Sequence, residues 1–128
     1  MPKTTQLVLS LQSKPGVLAG ISKALAAARV NILTLSAAEA AGRGKIRMIV
    51  SNPVAARRTL RKERIRFSEE PAFTKRLRNK PGALARAVAK LARARVNIKT
   101  AYATTAGRGG ATVVITVSNA AKARRLIN

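Results

Sequence analysis

Two short corners hold the residues of this chain best suited to chemistry. They read Ser13-Lys14-Pro15-Gly16 and Asn79-Lys80-Pro81-Gly82. The chemistry they suit is the binding of a small anion rather than the making of bonds. A Pro-Gly turn that delivers the chain into a helix leaves the first helical N–H groups without intrahelical partners. With the helix dipole, those groups form a cradle for a carboxylate. Gly16 and Gly82 lack a Cβ, so a ligand can approach the backbone closely. Asn79 offers a donor and acceptors for an ammonium or a carboxylate. Lys14 and Lys80 could reach an anionic group, and they fit a solvated surface equally well. A lone Pro-Gly after a strand is also an ordinary turn and helix start.

Catalysis finds no such footing. The chain has no Cys and no His, which removes thiol chemistry, zinc sites built on S or N ligands and histidine acid–base catalysis. Its acids are four scattered glutamates, Glu39, Glu63, Glu69 and Glu70. No catalytic set can be assembled from these. The expectation is a protein that is not an enzyme, with no metal and no cofactor. Ala-Gly-Arg-Gly at 41–44 and again at 106–109 lacks the Gly-Lys-Ser/Thr ending and the following helix of a phosphate loop, so both read as turns. No apolar run approaches a membrane span, and Met1-Pro2-Lys3 does not open a secretory signal, so a cytoplasmic location is expected.

The elements that must position these corners come twice. Residues 13–32 and 79–98 are identical at 12 of 20 positions, at an offset of 66. Ser-Asn recurs at 51–52 and 118–119, each time opening a basic segment that ends Ala-Arg-Arg. A repeat of this period is one supersecondary unit made twice, which divides the chain into repeats at 1–70 and 71–128. Residues 4–11 alternate as a strand. Leu18, Ile21, Leu25 and Ala28 mark a helical stripe after Pro15. Residues 30–39 and 45–50 form a hairpin around Ala41-Gly42-Arg43-Gly44. Ser51 or Asn52 caps a helix to about Lys62, and 64–68 reads as a short final strand. The first unit is therefore β-α-β-β-α-β. The second repeats it with a strand at 72–78, a helix from Pro81 to about Arg93, a hairpin of 96–104 and 110–117 around Gly107, Arg108 and Gly109, and a helix at 120–127. It has no fourth strand of its own. Either that half has three strands, or another segment or a second chain completes it; an open sheet edge invites pairing, so a homodimer is expected.

Side chains divide accordingly. In the helix at 82–94, Leu84, Val88 and Leu91 are expected to face inward, with Arg86, Lys90 and Arg93 as an opposing basic stripe. The 26 Lys and Arg give a net charge of +22, which attracts polyanions and repels itself. Nucleic-acid binding is the competing function, because neutralising phosphates releases counterions. The central strands read KIRMIV and ATVVITV, without the aromatics that stack bases, so only salt-sensitive, non-specific association fits.

A β-α-β-β-α-β unit with (Asn/Asp)-Lys-Pro-Gly-x-Leu after its first strand and Val-Asn-Ile opening its second resembles the ACT domain. Two such units cover nearly the whole chain and look like a stand-alone tandem ACT protein. The resemblance implies an α+β, ferredoxin-like fold. It also implies a regulatory ligand, most often an amino acid, at the interface between two ACT units. By resemblance the site residues are Asn79, Gly82, Ala83 and Leu84 facing Asn31 and Ile32, and Gly16, Val17 and Leu18 facing Asn97 and Ile98. Ser13 stands where the family usually has Asn or Asp. Asn31 and Asn97 also fit a local role in the turn from helix to strand. The expected function is a non-catalytic module that binds an amino acid and signals to a partner protein or to its own oligomeric state. The alternatives are a basic, non-specific nucleic-acid-binding protein and a ligand-free scaffold for protein interaction.

Overall fold

The computed structural model describes residues 3–105 and 110–126. In chain order the elements are β1 (Lys3–Gln12), α1 (Val17–Ala27), β2 (Ile32–Ala40), β3 (Arg43–Val50), α2 (Pro53–Lys62), β4 (Phe67–Arg78), α3 (Ala83–Arg93), β5 (Ile98–Thr105), β6 (Gly110–Val117) and α4 (Ala120–Leu126). The hairpin residues Gly107, Arg108 and Gly109, and Ile127 at the end of the expected last helix, lie outside the described residues.

The chain forms two compact units, one of Thr5–Glu70 and one of Pro71–Asn128 with Met1–Thr4. In the first, the strand order is β2-β3-β1, with residues 67–70 of β4 next to β1. Leu7 pairs with Met48 and Leu9 with Ile46, antiparallel. Their inward side chains form a core with Ile21 and Leu25 of α1 and Ala56 and Leu60 of α2. The second unit repeats the pattern as β5-β6-β4, where Phe73 pairs with Ile115. Its core gathers Phe73, Leu91, Val96, Val113, Ile115, Val117 and Ala123.

Two expectations are corrected and one open alternative is resolved. The strands read at 64–68 and 72–78 are one twelve-residue strand, β4, which passes through Pro71. Arg64 is held at φ 56 in the turn after α2, so the strand starts later than its apolar pattern suggests. Proline lacks an N–H but tolerates extended backbone, so Glu69-Glu70-Pro71 did not end the strand. Second, of the alternatives left open for the second repeat, which lacks a final strand of its own, the structure selects another segment of the chain: β1 neighbours β4 in the strand order. Lys3 and Thr4, the start of β1, belong to that unit, and Lys3 shares a surface cavity with Ala120, Ala121, Arg124 and Arg125 of α4. The edge that this segment meets therefore carries no argument for a dimer, whereas β2 ends the strand order.

Third, the helix stripes are rotated. Leu84 is 51% exposed, and the buried residues of α3 are Ala83 and Leu91. In α1 the inward positions are Val17, Ile21 and Leu25, while Leu18 and Ala28 are exposed. Alanine on the inward face lets a helix approach its sheet closely. The larger Leu84 is then left on the outer side, although its spacing to Leu91 fits the same period.

Candidate ligand-binding site

The two Pro-Gly corners are built alike. Gly16 and Gly82 take φ 86 and 87, the left-handed region that disfavours a side chain, and each stands as the cap residue of its helix. The carbonyls of Lys14 and Lys80 accept from the N–H groups of Val17 and Ala83, both at 3.3 Å. No side chain caps α1 or α3. By contrast, Asn52 Oδ1 accepts from the Ala55 N–H at 3.1 Å at the start of α2. Asn119 Oδ1 does the same for the Lys122 N–H at 3.0 Å in α4. The two helices without side-chain caps are the ones at the expected ligand corners.

Each corner borders a cavity within its own unit. In the first, a cavity of about 190 Å³ brings together Ser13, Lys14, Val17 and Leu18 with Leu11, Glu39, Gly44 and Ile46. The Ser13 N–H donates to the Gly42 carbonyl at 2.9 Å, and Glu39 Oε1 accepts from the Gly42 N–H at 3.1 Å. The hairpin turn therefore ties the Ser13 backbone and the Glu39 carboxylate into one frame. Glu39, Gly44, Leu11 and Ile46 were missed by sequence reasoning. The register that sets Leu11 opposite Gly44 and Glu39 opposite Gly44 is what gathers them.

In the second unit a cavity of about 480 Å³ lies beside the start of α3. It is lined by Lys75, Arg76, Leu77, Arg78, Lys80, Ala83, Arg86, Ala87 and Lys90. Of the expected residues Ala83 lines it. Gly82 and Leu84 flank Ala83, and Asn79 is exposed outside the lining. The repeat offset of 66 explains the opening. Lys75 and Ala87 stand where the first unit has Leu9 and Ile21, both core residues. Burying one such aliphatic side chain contributes about 1.5–3 kcal/mol, so the second unit forgoes that stabilisation here.

The remaining expected residues sit elsewhere in their units. Asn31 and Ile32 lie at the far end of α1 from Gly16, and Asn97 and Ile98 at the far end of α3 from Gly82. An eleven-residue helix is about 16 Å long. Ile32 and Ile98 pack against their cores. The side chains of Asn31 and Asn97 are exposed, and their backbones join the serines that follow β3 and β6. Among the described residues, no group of three His, Cys, Asp or Glu could hold a metal ion. No helix among them is long and apolar enough to cross a membrane.

This duplicated β-α-β-β-α-β architecture with its twin glycine corners defines a pair of ACT-type modules. The family model described as an ACT domain pair matches residues 3–128, and the chain belongs to that family of regulatory, ligand-binding modules. It is similar to protein BT0572 from Bacteroides thetaiotaomicron, at 31% identity and a TM-score of 0.91, over 97% of this chain and 85% of that one. The fold is also shared with the ligand-free regulatory subunit of aspartate kinase from Thermus thermophilus. There the identity is 16% and the TM-score 0.66, over 99% and 95% of the two chains. Aspartate kinase from Clostridium acetobutylicum matches at 12% identity and a TM-score of 0.63, over 98% of this chain and 32% of that one. No curated protein sequence matches the chain.

Proposed function

We propose that this protein is a non-catalytic, cytoplasmic regulatory module that binds an apolar α-amino acid in the cavity beside Ser13, Gly16, Val17 and Leu18. The observation that carries this reading is the threefold chemistry of the lining. Leu11, Val17, Leu18 and Ile46 suit an aliphatic side chain. Ser13, Lys14 and the start of α1, which has no side-chain cap, suit a carboxylate. Glu39 suits an ammonium. Occupancy is passed on by shifting the population of states that meet a partner protein or a second copy of the chain. A homodimer is favoured by β2, which ends its sheet with Leu33 and Leu35 exposed at 54% and 43%.

The test is a thermal-shift screen of the twenty amino acids on the native protein and on Gly44→Val. The nearest atoms to a Cβ at Gly44 would be the Leu11 carbonyl at 3.8 Å, Ser13 Cβ at 3.9 Å and the Ala38 carbonyl at 4.0 Å, all ordinary contacts. Valine also suits a strand, so this variant folds with the cavity filled. A rise with one aliphatic amino acid, lost in Gly44→Val, is the expected result. No rise with any amino acid, or one that survives the filling, overturns the assignment.

A further inference from the structure

We infer that the larger cavity, between β4 and α3, is a separate site for a small multiply phosphorylated anion of the triphosphate class. Six of its nine lining residues are cationic, Lys75, Arg76, Arg78, Lys80, Arg86 and Lys90, and none is acidic. All four acids of the chain lie between residues 5 and 70, so the second unit has no carboxylate side chain to neutralise this cluster. An amino acid brings one carboxylate and would leave most of these charges uncompensated. A triphosphate brings several negative charges on adjacent groups, which forked guanidinium donors match in pairs.

The cations are not a general feature of the repeat. At the offset of 66, Lys75, Arg76, Arg78, Arg86 and Lys90 stand where the first unit has Leu9, Ser10, Gln12, Gly20 and Ala24, and only Lys80 has a basic counterpart, Lys14. The space is not a packing accident either, because Leu9 and Ile21 fill the corresponding region of the first core. Two of the guanidiniums occupy space that a side chain at a neighbouring glycine would need. A Cβ at Gly82 would lie 3.0 Å from Arg86 Nη1, and one at Gly110 would lie 3.0 Å from Arg76 Nη2 and 3.1 Å from its Nε. The volume of about 480 Å³ suits a small molecule. The lining has no aromatic to stack bases, which disfavours a single-stranded nucleic acid as the occupant.

Calorimetric titration with inorganic triphosphate at fixed ionic strength tests this, on the native protein and two charge-matched variants. Arg76→Gln/Arg86→Gln alters the cavity, and Lys23→Gln/Arg58→Gln removes the same charge from exposed positions outside it. The expected result is one triphosphate per chain, with affinity at least tenfold lower in the first variant and changed less than twofold in the second. Inorganic sulfate should bind at least tenfold more weakly than triphosphate. Equal losses in the two variants, or several ions per chain, would show attraction to net charge and overturn the site. An oligothymidylate that displaces triphosphate at equal phosphate concentration would overturn it too, in favour of nucleic acid. The site stands independently of the amino-acid reading: Gly44→Val should leave triphosphate binding intact, and Arg76→Gln/Arg86→Gln should leave any amino-acid thermal shift intact.

Discussion

Asn31 and Ser51 are joined by a reciprocal pair of hydrogen bonds. The Asn31 N–H donates to Ser51 Oγ at 2.9 Å, and the Ser51 N–H donates to the Asn31 carbonyl at 2.9 Å. Asn97 and Ser118 repeat the arrangement at 3.1 and 2.9 Å. The bond uses the asparagine's backbone and the serine's side chain. Ser51→Ala should therefore lower stability by about 0.5–1.5 kcal/mol, whereas Asn31→Ala should change it by less than about 0.5 kcal/mol, as exposed substitutions usually do. Urea unfolding of the two variants checks this. Equal losses would mean that the Asn31 side chain has structural work of its own.

The rotated stripe of α3 gives a sharper contrast. Leu91 is 1% exposed and belongs to the second core, whereas Leu84 is 51% exposed. Leu91→Ala should cost about 2–5 kcal/mol, and Leu84→Ala less than about 0.5 kcal/mol. The comparison is internal to one helix, so differences in helix propensity cancel. A large loss for Leu84→Ala in chemical denaturation would return the inward stripe to its sequence-based phase.

That contrast marks where the sequence was legible. The duplication announced the element order, and Ser51-Asn52 announced a helix cap, which Asn52 and, in the second repeat, Asn119 supply; the strand-end clasp made by Ser51 and Ser118 was not read from the sequence. The caps span three residues, so local pattern reveals them, whereas the clasps join residues 20 and 21 apart. The phase of α3 was not legible, because in an alanine-rich helix several stripes fit one period and the sheet decides among them. The continuity of β4 through Pro71 and the assignment of Lys3 and Thr4 to the second unit depend on strand pairing, which spacing along the chain does not encode. The Pro-Gly corners were visible, but the cationic cavity was not. Its signal was present in the repeats: Lys75 against Leu9 and Ala87 against Ile21 put a charge and a small residue at core positions.

The β2–β3 hairpin offers a gain in stability. Its two turn residues, Ala41 and Gly42, both have positive φ, 54 and 78. Such turns favour Asn-Gly, because asparagine tolerates the left-handed region better than alanine does. Ala41→Asn should raise stability by about 0.5–1 kcal/mol, seen as a higher melting temperature, while Ala41→Val should lower it. Ala41 is exposed, so neither change disturbs the core. An unchanged melting temperature in both variants would contradict the turn geometry.

Acid should weaken the first unit through Glu69. Arg57 Nη2 lies 2.8 Å from Glu69 Oε1, and its Nε donates to the same oxygen at 2.9 Å. This hydrogen bonding holds the Glu69 carboxyl below the usual carboxylate range, with smaller help from the charges of Arg57 and Arg61 and against partial burial. A group whose pKa is depressed by folding contributes stability that is present above its unfolded value and lost as the pH falls through the folded one. The loss should therefore begin near the ordinary glutamate value of about 4.3 and deepen below it. Glu69→Gln should remove that part of the acid limb while changing stability little at neutral pH, because exposed ion pairs contribute little there. With a net charge of +22, protonating any glutamate also adds to self-repulsion, and salt should relieve it. Melting curves between pH 3 and 7 at low and high salt separate the two causes. The Glu69 contribution is the difference between native and variant that persists at high salt, and parallel acid limbs in the two proteins would refute it.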